Sequence, residues 1–138
     1  MDYGYNKVYI DFINKVEANT KPTKVIVDIE GNGDEQDKVF LFKQDTPVGK
    51  EFITLRLALG DDLKTMFYLV KMSFVNDNTT FDFQDGFDAD DPDKNISDLI
   101  KNLNDDLDQT INFATNLGSL DNNFAINTIN EIKAAISA

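Results

Sequence analysis

Phe52-Ile53-Thr54-Leu55-Arg56-Leu57-Ala58-Leu59 is the stretch on which the fold turns. Ile53, Leu55, Leu57 and Leu59 take every second position, with Thr54, Arg56 and Ala58 between them. That is the period of an extended strand with one buried face. The same alternation continues outward on both sides. Upstream, Val25, Val27 and Ile29 alternate with Ile26, Asp28 and Glu30, and Gly31-Asn32-Gly33-Asp34 signals a turn before Val39-Phe40-Leu41-Phe42 opens a second strand. Downstream of Gly60-Asp61-Asp62, Thr65 to Val75 is the longest strand expected. It sets Met66, Tyr68, Val70, Met72 and Phe74 on one face and Phe67, Leu69 and Val75 on the other. Apolar groups on both faces imply a central strand, or a strand whose second face meets a partner. Asn76-Asp77-Asn78 then turns into Thr79 to Gln84, where Phe81 and Phe83 alternate with Asp82 and Gln84.

Helical periodicity brackets this block. From Tyr5 to Ala18, Tyr5, Val8, Tyr9, Phe12, Ile13 and Val16 recur at steps of three and four, and the residue before Pro22 avoids the helical region and helps end the helix. Asp91-Pro92 reads as a helix start with Asp91 as N-cap, and Asn95 or Ser97 as a later alternative. Ile96, Leu99, Leu103, Leu107, Ile111 and Ala114 carry an apolar stripe toward Leu117, and Gly118 stands where a C-terminal stop belongs. Asp121 is placed to cap a last helix buried through Phe124, Ala125, Ile129, Ile132 and Ile136, antiparallel to the one before it.

Strands in one run and helices in another predict an α+β fold: an N-terminal helix, an antiparallel sheet of about five strands and a C-terminal antiparallel two-helix pair. At 138 residues a single domain is expected. Its parts are a helix over 4–18, a sheet over 23–84, an acidic loop over 85–94 and two helices over 95–137.

Composition excludes several functions. Without His or Cys the chain has no Ser–His or Cys–His nucleophile, no thiolate metal site and no disulfide framework. No phosphate-cradling glycine motif is present, because Gly31-Asn32-Gly33 lacks the required spacing. With one arginine, Arg56, and a net charge of −12, direct binding to nucleic acid or to an anionic membrane is not expected. The start MDYGYNKVYI has no basic segment leading into an apolar run, and no apolar run approaches the roughly 20 residues that span a bilayer, so a soluble cytoplasmic protein is expected. Twenty Asp against five Glu, with frequent Asn, fit the codon usage of an AT-rich phage or low-GC bacterial genome.

Two stretches have the oxygen ligands a calcium site needs. Asp28 to Gly33 spaces them as an EF-hand loop does, but Val39 occupies the twelfth position, where a bidentate Glu belongs. Asp85 to Asp93 has the oxygens without a recognised register. Neither is assigned a metal, and no cofactor is expected.

Charge is the feature with functional content. Residues 77–108 hold eleven acids against Lys94 and Lys101, which places −9 of the −12 in 32 residues. On the long helix Asp98, Lys101, Asp105 and Asp108 lie opposite the apolar stripe, about 5–6 Å apart. With the preceding loop they make the expected partner-binding surface: Asp85, Asp88, Asp90, Asp91 and Asp93, then Asp98, Asp105, Asp106 and Asp108. In charge and size the chain resembles DNA-mimic inhibitors, among them phage anti-restriction and anti-CRISPR proteins, and acidic immunity proteins that block nuclease toxins. The resemblance implies a non-enzymatic module whose acidic surface occupies the basic groove of a nucleic-acid-binding protein or nuclease. The alternative is an oligomeric structural, assembly or chaperone protein, associating through the apolar second face of the sheet.

Overall fold

The computed structural model describes residues 4–28, 37–47, 49–59, 66–75, 80–89, 92–117 and 122–138. Helix α1 (Gly4–Ala18) precedes strands β1 (Lys24–Asp28), β2 (Asp37–Thr46), β3 (Gly49–Leu59), β4 (Met66–Val75) and β5 (Thr80–Ala89). Helices α2 (Pro92–Leu117) and α3 (Asn122–Ser137) follow. The protein is therefore α+β, with sheet order β1-β2-β3-β4-β5 and every neighbouring pair antiparallel. Such a meander follows from strands that are sequential and separated by few residues.

The alternation of β3 decides which face is dry. Ile53, Leu55 and Leu57 are wholly buried with Phe40 of β2 and Val70 and Met72 of β4. Leu99, Leu103 and Leu107 of α2, Ile129 and Ile132 of α3, and Tyr9 and Val16 of α1 close over them in one cluster. All three helices thus lie on one face of the sheet. Ala58, out of phase with the core residues of β3, is also wholly buried. At that end of the sheet the Ala58 backbone hydrogen-bonds the buried Tyr9 hydroxyl.

Helix α1 stops where its last carbonyls find local partners. The Asn19 side chain donates to Lys15 O at 2.8 Å and Thr20 Oγ1 donates to Val16 O at 2.8 Å. Those bonds take up carbonyls that a helix end leaves open. Val8, expected on the buried face, is instead 45% exposed and lines a groove with Phe12 of α1 and Ile96 and Ile100 of α2. Gly49, with φ of +159°, opens β3, and a Cβ there would overlap the Val75 carbonyl oxygen and the Phe74 ring.

One boundary differs in a way that matters for the site. Asp85-Gly86-Phe87-Asp88-Ala89, expected to begin a loop, completes β5 by pairing with residues 66–70 of β4. β4 has ten residues whose backbone groups need partners, and the hydrogen-bonded ladder outweighs the loop-like composition of Asp and Gly. Helix α2 then opens at Pro92, the earlier of the expected starts, so residues 85–89 and 92–94 of the expected acidic loop belong to β5 and α2. The turns at 31–34, 60–62 and 76–78, the caps at Gly118 and Asp121, and most of the Asp28–Gly33 segment lie outside the described residues. No helix among the described residues is long and apolar enough to cross a membrane.

Candidate protein-binding surface

Helix α2 is the support for the charged face. Its 26 residues span about 39 Å at about 1.5 Å per residue. Leu99, Leu103, Leu107, Thr110 and Ala114 are buried along its inner side. The opposite side follows from the helical repeat: Asp98, Lys101, Asp105 and Asp108 are all exposed. Helix α3 runs back beside it. Asp108, ten residues before the 118–121 connection, meets Lys133, twelve residues after it, at 2.6 Å. The outer face therefore carries three acids interleaved with Lys101 and Lys133 rather than an unbroken row of negative charge.

Asp106 does not belong to that face. It is half-buried, and its Oδ2 accepts a hydrogen bond from the hydroxyl of the buried Tyr68 on β4. A carboxylate one residue on from Asp105 is rotated about 100° round the helix, which is enough to aim it at the sheet. Thr110 Oγ1, also buried, bonds the Asp106 carbonyl at 2.9 Å. Asp106 thus ties α2 to β4.

The remaining expected contact residues separate. Asp85 takes the register position opposite Val70, a core-face residue, whereas Asp88 pairs with Phe67, which is out of step with the core face. The side chains of Asp85 and Asp88 lie outside the described residues. Asp93 stands in the first turn of α2 with its side chain outside the described residues, as Asp90 and Asp91 lie outside them entirely. Asp98, Asp105 and Asp108 are what the fold brings together.

A shallow groove flanks this face, between α1 and α2, lined by Val8, Asp11, Phe12, Lys15, Ile96 and Ile100. At about 240 Å³ it is below the size of a small-molecule site. The Lys15 ammonium caps the end of α3 by donating to Ile136 O at 3.2 Å, and it lies 5.7 Å from the Phe12 ring centroid. A second tie, from Lys21 N to Glu131 Oε2 at 2.5 Å, fixes α3 against the segment after α1.

Two groups under the helices carry electrostatic cost. Lys38, 8% exposed on the core side of β2, is held by Glu17 of α1 at 2.6 Å. Burial pushes the Tyr9 hydroxyl far above its ordinary range, and the Asp37 charge adds to that, against a smaller opposing effect from the Ala58 backbone bond. The described residues include no cluster of His, Cys, Asp and Glu able to hold a metal ion.

Sequence reasoning missed the charge on the other side of the sheet. Lys24, Lys43, Lys50, Arg56 and Lys71 all occupy the register positions out of phase with the core face. Arg56 forms a two-pronged pair with Asp37, at 3.0 and 2.5 Å, and Lys43 lies 3.8 Å from Asp45. Between these bases stand Ile26, Val39, Leu41, Phe52, Leu69 and Val75, partly or largely exposed. The described residues place no element over this face. Comparison of the chain with family models and curated proteins, and of its fold with solved structures, found no match.

Proposed function

We propose that this chain is a non-enzymatic protein-binding module, and that Asp98, Asp105 and Asp108 on the outer face of α2 contact a basic partner such as a nucleic-acid-binding protein or nuclease. The observation that carries this reading is the rigidity of the display. The three acids project from a helix whose opposite side is wholly buried, so little conformational entropy is lost when a partner docks. Electrostatic steering speeds such encounters and makes them depend on salt. Lys101 and Lys133 interrupt the face, which favours contact with a patterned protein surface over imitation of an unbroken phosphate row.

The test compares wild type with Asp98→Asn, Asp105→Asn, Asp108→Asn combined, as baits for affinity capture from source cells, followed by titration of the captured protein. The triple substitution is expected to weaken binding about 10-fold or more and to flatten its salt dependence. Equal affinity across a range of salt would remove the α2 face from consideration.

A second reading is favoured by the open sheet face. Leu69 and Val75 are incompletely buried there, as an assembly or chaperone protein that associates through its sheet requires.

A further inference from the structure

We infer that β1 is the edge through which two copies of this chain join, antiparallel about a two-fold axis at Ile26, so that their two sheets become one. This goes beyond the role proposed for α2 and does not depend on it.

The edge itself is open. β1 ends the sheet, and among the described residues no strand pairs with its outer side. The Lys43 N–H donates to Thr23 Oγ1 at 3.1 Å, which fixes the parity of the ladder. Odd-numbered residues of β2 turn their backbone groups toward β1, and their register partners Lys24, Ile26 and Asp28 turn theirs toward β2. The N–H and C=O groups of Val25 and Val27 therefore point outward, past the edge. Ile26 and Val27, 43% and 39% exposed, are two of the four exposed large apolar side chains among the described residues. Val27 pairs with the core-side Lys38, so its exposure shows that the helical layer stops short of this edge. Proteins blunt edge strands with charge. The opposite edge follows that rule, since β5 carries Asp82, Asp85 and Asp88 along its ten residues. β1 has Lys24 and Asp28 at its two ends and only Val25-Ile26-Val27 between them.

The strand also matches its own reverse. Residues with outward backbone groups must face each other across a new ladder, which restricts the register. Centring the axis on Val25 or Val27 sets Ile26 against Lys24 or Asp28 of the second copy. Centring it on Ile26 sets Ile26 against Ile26, Val25 against Val27 and Lys24 against Asp28. The Val25–Val27 pairs then exchange backbone hydrogen bonds, while Ile26–Ile26 and Lys24–Asp28 fall at the positions between, where facing side chains come closest. Within one copy Asp28 stands opposite Asp37, a like-charge pairing that a facing Lys24 offsets. A contact of this kind closes at two copies. Helix α2 is tied through Asp106 to β4, away from β1, so the dimer presents the face of Asp98, Asp105 and Asp108 twice.

Sedimentation velocity up to about 1 mM protein, in about 0.15 M salt to screen the −12 on each copy, tests this. Wild type should pass from monomer to dimer and stop there. Lys24→Glu and Asp28→Lys each put like charges face to face twice, and each should weaken the dimer by about 10-fold or more. The decisive sample is the mixture of the two variants. It restores opposite charges at both positions and should dimerise 1:1 as well as wild type, and the exchanged K24E/D28K should do so alone. Amide hydrogen exchange reads the register: Val25 and Val27 should slow by about 10-fold or more as concentration rises, while Ile26 does not change. Ile26→Lys, at an exposed position, should abolish the dimer and serves if circular dichroism shows either charge variant to be unfolded. A wild type that stays monomeric overturns the inference, and so does a dimer indifferent to both charge reversals or one lost in D98N/D105N/D108N. Those three acids take no part in the pairing, so its failure leaves the proposed function of α2 standing.

Discussion

The two faces of the sheet are made by the same strands and the same alternation, yet they meet different surroundings. On the core face Phe40, Ile53, Leu55, Leu57, Val70 and Met72 are fully buried under three helices. On the open face Val39, Leu41, Phe52, Leu69 and Val75 have comparable side chains and keep part of their surface. The difference lies in what stands between the apolar groups. The core-face row Val25–Phe40–Leu55–Val70 is apolar across four strands, whereas the open-face row Lys24–Leu41–Thr54–Lys71 carries a cation on β1 and another on β4. Long lysine stems cover apolar neighbours while their ammonium groups stay in water. An open face can therefore remain apolar in composition without demanding a cover.

That contrast is broken most sharply by deleting the same side chain on each face. Leu55→Ala leaves a cavity in a packed core and should cost about 2–5 kcal/mol, whereas Leu69→Ala should cost less than about 1 kcal/mol. Urea unfolding followed by circular dichroism measures both. Equal losses would mean that the open face is covered.

A related contrast separates the dry side from the wet by pH. Tyr9 is held protonated in the fold by burial, while in the unfolded chain it ionises near its ordinary value of 10.0. Its folded value is raised, so its contribution is fully present below about pH 10 and is lost as pH rises above that. Each further pH unit should remove about 1.4 kcal/mol of stability, and Tyr9→Phe should flatten that decline. Alkaline unfolding curves of the two proteins, corrected for the other tyrosines by their shared slope, provide the readout.

A smaller effect divides α2 itself. Tyr68→Phe removes the donor to Asp106 and should cost about 1–2 kcal/mol while leaving partner binding unchanged. Asp105→Asn should do the reverse, lowering affinity without moving the melting temperature. Loss of binding in Tyr68→Phe would return Asp106 to the contact surface.

These residues also show how much the sequence alone could reveal. The strands of residues 39–42 and 52–75 and the inner stripe of α2 were legible because one periodicity ran through each of them long enough to be counted. The extension of β5 was hidden by its composition, although Phe81, Phe83 and Phe87 sit on alternate positions of one strand. Asp106 was grouped with the outer acids by charge alone. Its spacing of three from Leu103 and four from Thr110 already placed it on the inner flank. The grouping of bases on the open face was the least legible feature. Lys24, Lys43, Lys50, Arg56 and Lys71 are spread over four strands, and only the register brings them together.

The smallest effect on stability is expected at the Asp108–Lys133 pair, and its smallness is informative. The two side chains are 54% and 32% exposed, so water screens their attraction and the 2.6 Å contact should contribute less than about 1 kcal/mol. Lys133→Ala should therefore barely shift unfolding. For binding it has the opposite weight, because Lys133 currently neutralises one of the three acids presented by α2. Removing it increases the negative potential of that face without touching an acid, so affinity for a basic protein should rise and its salt dependence should steepen. Asp108→Asn, equally mild for folding, should lower affinity. Opposite signs from the two halves of one ion pair would mark the face as a recognition surface. A purely solubilising face has no reason to respond in either direction.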